Sequence, residues 1–228
     1  MSVAENLTVV MDRIAAAAKR AGRPPSSIKL VTVTKTVGIE GIREAVAAGA
    51  LILGENRVQE SKDKIEVLGP LASWHLIGRL QANKAKYAVK LFDLIHSVDS
   101  IALAIEIDKQ AAKIGKVQDV LIEVSIAGEV AKAGAGIDEV PGLVRELAKL
   151  KHVRVRGLMT MPPYSDDPER SHPYFRKLKE LSAFIYRENI PAVSMTELSM
   201  GMSNDFEVAI EEGATLVRVG TAIFGGRN

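Results

Sequence analysis

At 228 residues the chain has room for one large domain with a sizeable core. Its formal net charge of +2 is nearly balanced, and Lys and Arg are scattered, so a nucleic-acid footprint is excluded. Cysteine is absent, which rules out a disulfide framework, a thiol nucleophile and a thiolate metal site, and fits a cytoplasmic protein.

Ser2-Val3-Ala4-Glu5 is a capping-box pattern, and an amphipathic helix is predicted from it to about Ala21. Asp12, Arg13 and Lys19 interrupt that helix, so it is no signal peptide. Strands are predicted near Ile28–Lys35, Leu51–Leu53, Ser73–Ile77, Leu94–Ser97, Val120–Ile126, Val153–Met159, Thr196–Ser199 and Leu216–Val219. Each of the first seven is followed by apolar spacing near 3.6, as in Gly41–Ala48 and Val140–Leu150. After the eighth comes only Thr221–Gly225. Gly49 and Gly213 stand where left-handed helix caps are wanted, and Asp167-Pro168-Glu169 reads as a helix start. Gly128–Gly136 lacks the lysine-serine ending of a P-loop and is predicted to be a flexible loop. The longest non-periodic stretch, Pro162–Pro173, is a surface loop placed where a lid could be. No apolar run approaches the ~20 residues that span a bilayer, so no membrane association is expected.

Buried-looking strands alternating with helices predict an α/β fold: a single (β/α)8 TIM barrel over residues 1–228 with an extra N-terminal helix. An open doubly wound sheet would want a glycine-rich fingerprint after an early strand, and none follows Lys35.

In such a barrel chemistry sits at the C-terminal ends of the strands. Lys35 closes strand one and by alternation shares a face with Val31 and Val33. Partial desolvation there would free its amine to attack a carbonyl; the bland alternative is a strand-end lysine reaching for water. Ser203 and Gly220-Thr221 follow strands seven and eight, where barrels of this type often bind phosphate; two ordinary helix caps are the alternative. Arg218 lies inside an apolar run, on the face of Leu216 and Gly220, and needs an anion or an acceptor. His75, His96, His152 and His172 lack ligand spacing, so no metal is expected, and His75 is by default a satisfied core histidine.

The chain resembles, nearly end to end, the pyridoxal phosphate homeostasis family, relatives of the N-terminal barrel of alanine racemase. The matching segments are Val33-Thr34-Lys35-Thr36, Gly54-Glu55-Asn56 with Val58-Gln59-Glu60, and Trp74-His75-Leu76-Ile77-Gly78 with Leu80-Gln81 and Asn83-Lys84. Further on they are Glu129 with Lys132 and Gly134, Arg156–Met161, Leu198–Ser203 with Asp205, and Val217–Gly225. The resemblance implies pyridoxal 5′-phosphate (PLP) held as a Schiff base on Lys35. It implies phosphate contacts from Ser203, Gly220 and Thr221, and Arg218 beside the pyridine nitrogen or the phosphate. Asn56 and His75 are implied as pocket walls near the ring. Two positions depart from the family pattern. Arg57 stands where relatives often have an aromatic, and Arg79 where they often have proline or another residue.

The implied function is intracellular PLP homeostasis by a cytoplasmic, monomeric carrier with no committed catalytic activity. PLP is the expected partner, with apo PLP-dependent enzymes as candidate recipients. An amino-acid racemase-like enzyme is the alternative, and a Schiff-base aldolase acting on a phosphorylated sugar is a third. Against racemisation, the racemase relatives use a second-domain tyrosine, and the sequence is expected to hold no such domain. Tyr164 and Tyr174 are the only substitutes near the loop after strand six.

Overall fold

Ser2 starts the first helix as the capping box requires. Its hydroxyl accepts from the Glu5 N–H at 3.2 Å, and Glu5 Oε2 accepts from the Ser2 N–H at 2.8 Å. The structure, a computed structural model, describes residues 1–126 and 134–226. In chain order the elements are α1 (Val3–Arg20), β1 (Lys29–Val33), α2 (Ile39–Ala47), β2 (Ile52–Glu55), α3 (Val58–Leu68), β3 (Ser73–Leu76), α4 (Ala85–Leu91), β4 (Leu94–Val98) and α5 (Ile101–Ala112). They continue with β5 (Gln118–Ser125), β6 (Ala135–Gly136), α6 (Val140–Leu147), β7 (Val153–Met159), α7 (His172–Arg187), β8 (Val193–Ser199), α8 (Phe206–Glu211), β9 (Leu216–Val219) and α9 (Thr221–Phe224).

All the strand pairings are parallel, and β1 pairs with both β2 and β9 while β4 pairs with β5. The sheet therefore closes into a TIM barrel of eight strands, with β6 added outside the ring beside β5. Closure explains the near-continuous apolar strands, because helices cover one face and the barrel interior the other. Every residue of β4 and of β9 is buried. A small interior cluster, including Val31, Val33, Ile77, Leu121 and Met159, fills part of the barrel, and a larger cluster packs strands against helices. The N-terminal helix α1 packs on α2, α8 and α9, and Asn6 Nδ2 donates to the Ile223 carbonyl at 2.9 Å.

Three expectations shift. β1 stops at Val33, so Lys35 lies in the following turn rather than on the strand, and Thr36 takes φ 64°. β2 extends to Glu55, which is fully buried. The loop expected over 128–136 ends in a short paired strand, Val124 beside Ala135, and its residues before 134 lie outside the described ones. Gly49 and Gly213 do adopt the left-handed caps, at φ 103° and 106°. No helix among the described residues is long and apolar enough to cross a membrane.

Candidate functional site

A cavity of about 1020 Å³ opens at the C-terminal end of the strands. Lys35, Asn56, Arg218, Ser203, Gly220 and Thr221 all line it. Residues 161–165, from the loop after β7, form one wall, and Arg79 contributes to another.

Arg218 is 3 % exposed and forms the floor. Its Nη1 donates to Ser199 Oγ at 2.6 Å and its Nη2 to the Thr160 carbonyl at 2.9 Å. A guanidinium can only donate, so Ser199 Oγ accepts from it and keeps a second lone pair and its own proton for a further partner. The next atom is His96 Nδ1 at 2.9 Å, and His96 Nε2 lies 3.0 Å from His75 Nδ1. Both imidazoles are neutral, and the proton between them sits on His96 Nε2 if Ser199 donates to His96 and on His75 Nδ1 if Ser199 accepts from it. Their pKa values agree. Burial lowers His75 to about 4, and burial, then His75 and Arg218, hold His96 well below 6.5. Burial also lowers Arg218 to about 10, opposed by the charges of Asp205 and Glu123, so it stays protonated at neutral pH. Glu123, 4 % exposed, is raised to about 7 by burial and by Asp99, against the pull of Arg218 and Arg79.

Across the cavity, the β8–α8 and β9–α9 turns meet. Ser203 Oγ lies 3.4 Å from the backbone N–H groups of both Gly220 and Ala222. Asp205 lines the cavity too, but its oxygens are engaged, Oδ1 with the Met202 N–H at 2.7 Å and Oδ2 with the Ser171 hydroxyl at 3.0 Å. Those two bonds pin the Met202–Asp205 turn. Two glycines make close approaches here. At Gly220 a Cβ would stand 3.1 Å from both Cβ and the carbonyl oxygen of Val33. At Gly201, with φ 89°, it would stand 2.5 Å from the Ala209 Cβ and 2.8 Å from the Phe206 Cα.

The turn carrying Lys35 is held from below by charges. The buried Lys64 ammonium on α3 donates to the Thr34 carbonyl at 2.7 Å, to Glu55 Oε1 at 2.8 Å and to Glu60 Oε1 at 2.7 Å. The Thr34 hydroxyl donates to Glu55 Oε1 at 2.6 Å, and the Thr36 N–H to Glu60 Oε1 at 2.7 Å. Burial raises the Glu55 pKa despite the hydrogen bonds from Lys64 and Thr34. At Glu60 burial also pushes upward, but the bonds from Lys64 and Thr36 outweigh it and the net shift is downward. A β-branched residue at φ 64° costs on the order of 1–3 kcal/mol and persists only where its surroundings fix it.

The alanine racemase N-terminal domain family model matches residues 6–228. A pyridoxal phosphate homeostasis protein of Aquifex aeolicus is 50 % identical over 228 residues, covering 100 % of this chain and 99 % of that one. The chain belongs to the pyridoxal phosphate homeostasis protein family. Its Escherichia coli K12 member is 38 % identical over 230 residues, covering 99 % of this chain and 97 % of that one. Among solved structures, PipY of Synechococcus elongatus with PLP bound superposes with a TM-score of 0.85 at 38 % identity, covering 98 % of this chain and all of that one. A Clostridium difficile alanine racemase shares the fold, with a TM-score of 0.75 at 17 % identity, and this chain covers 57 % of it.

Of the family segments seen in the sequence, those around Lys35, Asn56, Gly78, Met161, Ser203 and Gly220 reach the cavity, whereas Val58-Gln59-Glu60, Leu80-Gln81, Asn83-Lys84 and Gly134 do not line it, and Glu129 and Lys132 lie outside the described residues. Six of the seven candidate residues line it. His75 is not among its lining residues: it is buried, with its Nδ1 3.0 Å from His96 Nε2. Of the two departures, Arg79 lines the cavity, whereas Arg57 is exposed and does not line it. Tyr164 also lines the cavity, and Tyr174 sits on α7 instead. The sequence reading missed Lys64 with Glu60, and the part played by His96 and Ser199. Glu60 and Lys64 are one helical turn apart, and His96 shares the interior face of Leu94; both signals were available.

Proposed function

We propose that this chain binds PLP in the barrel-mouth cavity as a Schiff base on Lys35 and serves intracellular PLP homeostasis. The observation that carries the proposal is that one cavity gathers Lys35, Arg218 and the Ser203/Gly220 turn pair. The donor set fits the group. Arg79 and Arg218 are cationic, while the carboxylate of Asp205 is already engaged, which suits a phosphate-bearing ligand. The Gly220 backbone is bare where a side chain would crowd Val33, leaving its N–H open toward Ser203. Ser203, Gly220 and Thr221 would hold the phosphate, Asn56 would flank the ring, and Arg218 would lie beside it. His75 would act beneath, through His96 and Ser199. PLP supplies an aldehyde; Lys35 supplies the amine that condenses with it, releasing one water.

In this reading residues 1–228 form a single PLP-binding domain, acting as a cytoplasmic monomer without committed catalysis, and apo PLP-dependent enzymes are the candidate recipients. The relatives' name and the PLP-bound PipY support it. The test is the absorption spectrum of the purified protein before and after borohydride, with peptide mass mapping. A yellow protein with reduced label on Lys35 is expected. Label on Lys84, or no label at all, would overturn the assignment.

A further inference from the structure

We propose that Lys64, with Glu55 and Glu60, is a positioning network that fixes the peptide groups on both sides of Lys35 and so sets how its amine meets a ligand in the cavity. The inference rests on the reading of Lys35 as the lysine that bonds the cofactor.

Lys64 spends all three of its N–H donors at this one place. One goes to the carbonyl of Thr34, the residue before Lys35. Another goes to Glu60 Oε1, which also accepts the N–H of Thr36, the residue after it. The third goes to Glu55 Oε1, which also accepts the hydroxyl of Thr34. One ammonium therefore ties both neighbours of Lys35, and the left-handed Thr36 is held by the same carboxylate. Lys64 is 7 % exposed and does not line the cavity, so it has no direct route to a ligand.

Packing does not explain it. α3 buries Val58, Ser61, Lys64 and Leu68 on one face, and an apolar side chain at 64 would fill that stripe. Buried ion pairs are poor stabilisers against apolar replacements of similar volume, so their retention points to conformational specification. Glu55 Oε2 is buried with no hydrogen-bond partner among the described residues, a further cost with no packing return.

Lys35 forms its bond when its nitrogen adds to an aldehyde carbon and the aldehyde oxygen leaves as water. The network touches none of those atoms; it controls where the nitrogen stands when they meet. The decisive comparison is covalent capture against noncovalent binding. Apo-protein is titrated with PLP, following the rate of growth of the yellow band and the borohydride label on Lys35. It is titrated in parallel with pyridoxine 5′-phosphate, which has the phosphate and ring but no aldehyde. In Lys64→Met and Glu60→Leu, the rate of band formation is expected to fall tenfold or more, while affinity for pyridoxine 5′-phosphate stays within about threefold. Glu60→Gln keeps an acceptor for Thr36 and should recover most of the rate. Lys62→Met, on the exposed side of α3, is the control. Wild-type rates in both disrupted variants would overturn the proposal. So would a parallel loss of both ligands, which would mean a general structural role. Should Lys64→Met not fold, Glu60→Leu, at a partly exposed site, decides alone. If wild-type protein carries no label on Lys35, the cofactor assignment itself has failed, an outcome distinct from a labelled wild type with unaffected variants.

Discussion

Arg218 donates to the hydroxyl of Ser199 over 2.6 Å, and that oxygen links it through His96 to His75. Ser199→Ala removes the relay atom, leaving one arginine donor and His96 Nδ1 without their partner. A loss of about 1–3 kcal/mol in urea unfolding is expected. A freer Arg218 should also weaken PLP binding. Unchanged stability and affinity would mean that the chain is incidental.

Two shifted interior groups, His75 and Glu123, set opposite pH dependences. His75 titrates near 4 in the folded protein against its usual 6.5, so the unfolded chain binds that proton more readily. Its contribution is full above pH 6.5 and is lost as pH falls toward 4. Glu123 titrates near 7 against its usual 4.5, so the folded chain holds its proton longer. That contribution is full below pH 4.5 and is lost as pH rises toward 7. Each is of order 3 kcal/mol as an upper bound. Glu123→Gln should therefore match wild type near pH 4.5 and exceed it in stability at pH 8. Urea melts at both pH values decide it, and a variant less stable than wild type at pH 8 would show that ionised Glu123 is favourably paired.

Gly201 sits at φ 89° against Phe206 and Ala209, just before the turn that carries Ser203. Gly201→Ala must shift the α8 backbone or the turn. A loss of about 2–4 kcal/mol is expected from the left-handed backbone and the overpacking together. PLP affinity should fall with it, while the weaker binding of pyridoxal, which lacks the phosphate, should change less. Equal losses for both vitamers would place the effect on the whole cavity rather than on the phosphate end.

The barrel was legible because its strands are buried on both sides and read as aliphatic runs, as in Leu216–Val219. Arg218 was legible because alternation assigns it an interior face, and Lys35 because it stands just past the end of β1, although in a turn where alternation no longer applies. Alternation says nothing of depth, however. His75 shares the interior face with Ile77 but lies two residues nearer the strand's start, and Ile77 lines the cavity while His75 does not. Lys64 was illegible for another reason. Its partners Thr34 and Glu55 come from β1 and β2, and only barrel closure brings α3 over both. The available clue was a lysine on the buried stripe of α3, between Ser61 and Leu68.

Racemising a PLP-bound amino acid needs a proton removed on one face and returned on the other, so two positioned groups are required. Lys35 can be one. Among the described residues, the other titratable side chains lining the cavity are Arg79, Arg218, Asp205 and Tyr164. Arg79 and Arg218 are cations at neutral pH and cannot accept a proton. Asp205 spends its carboxylate on Met202 and Ser171. Tyr164 is 81 % exposed, and its hydroxyl donates to Asp166 Oδ1 at 2.9 Å. That bond, and the charge behind it, raise the phenol above its usual 10, so it keeps its proton and makes a poor base. PLP-loaded protein incubated with L-alanine in deuterated water should therefore keep the amino acid's chirality over many hours, with at most slow α-hydrogen exchange. Tyr164→Phe should leave that behaviour unchanged. Rapid racemisation abolished by Tyr164→Phe would make this protein an enzyme, with Tyr164 as its second acid–base group.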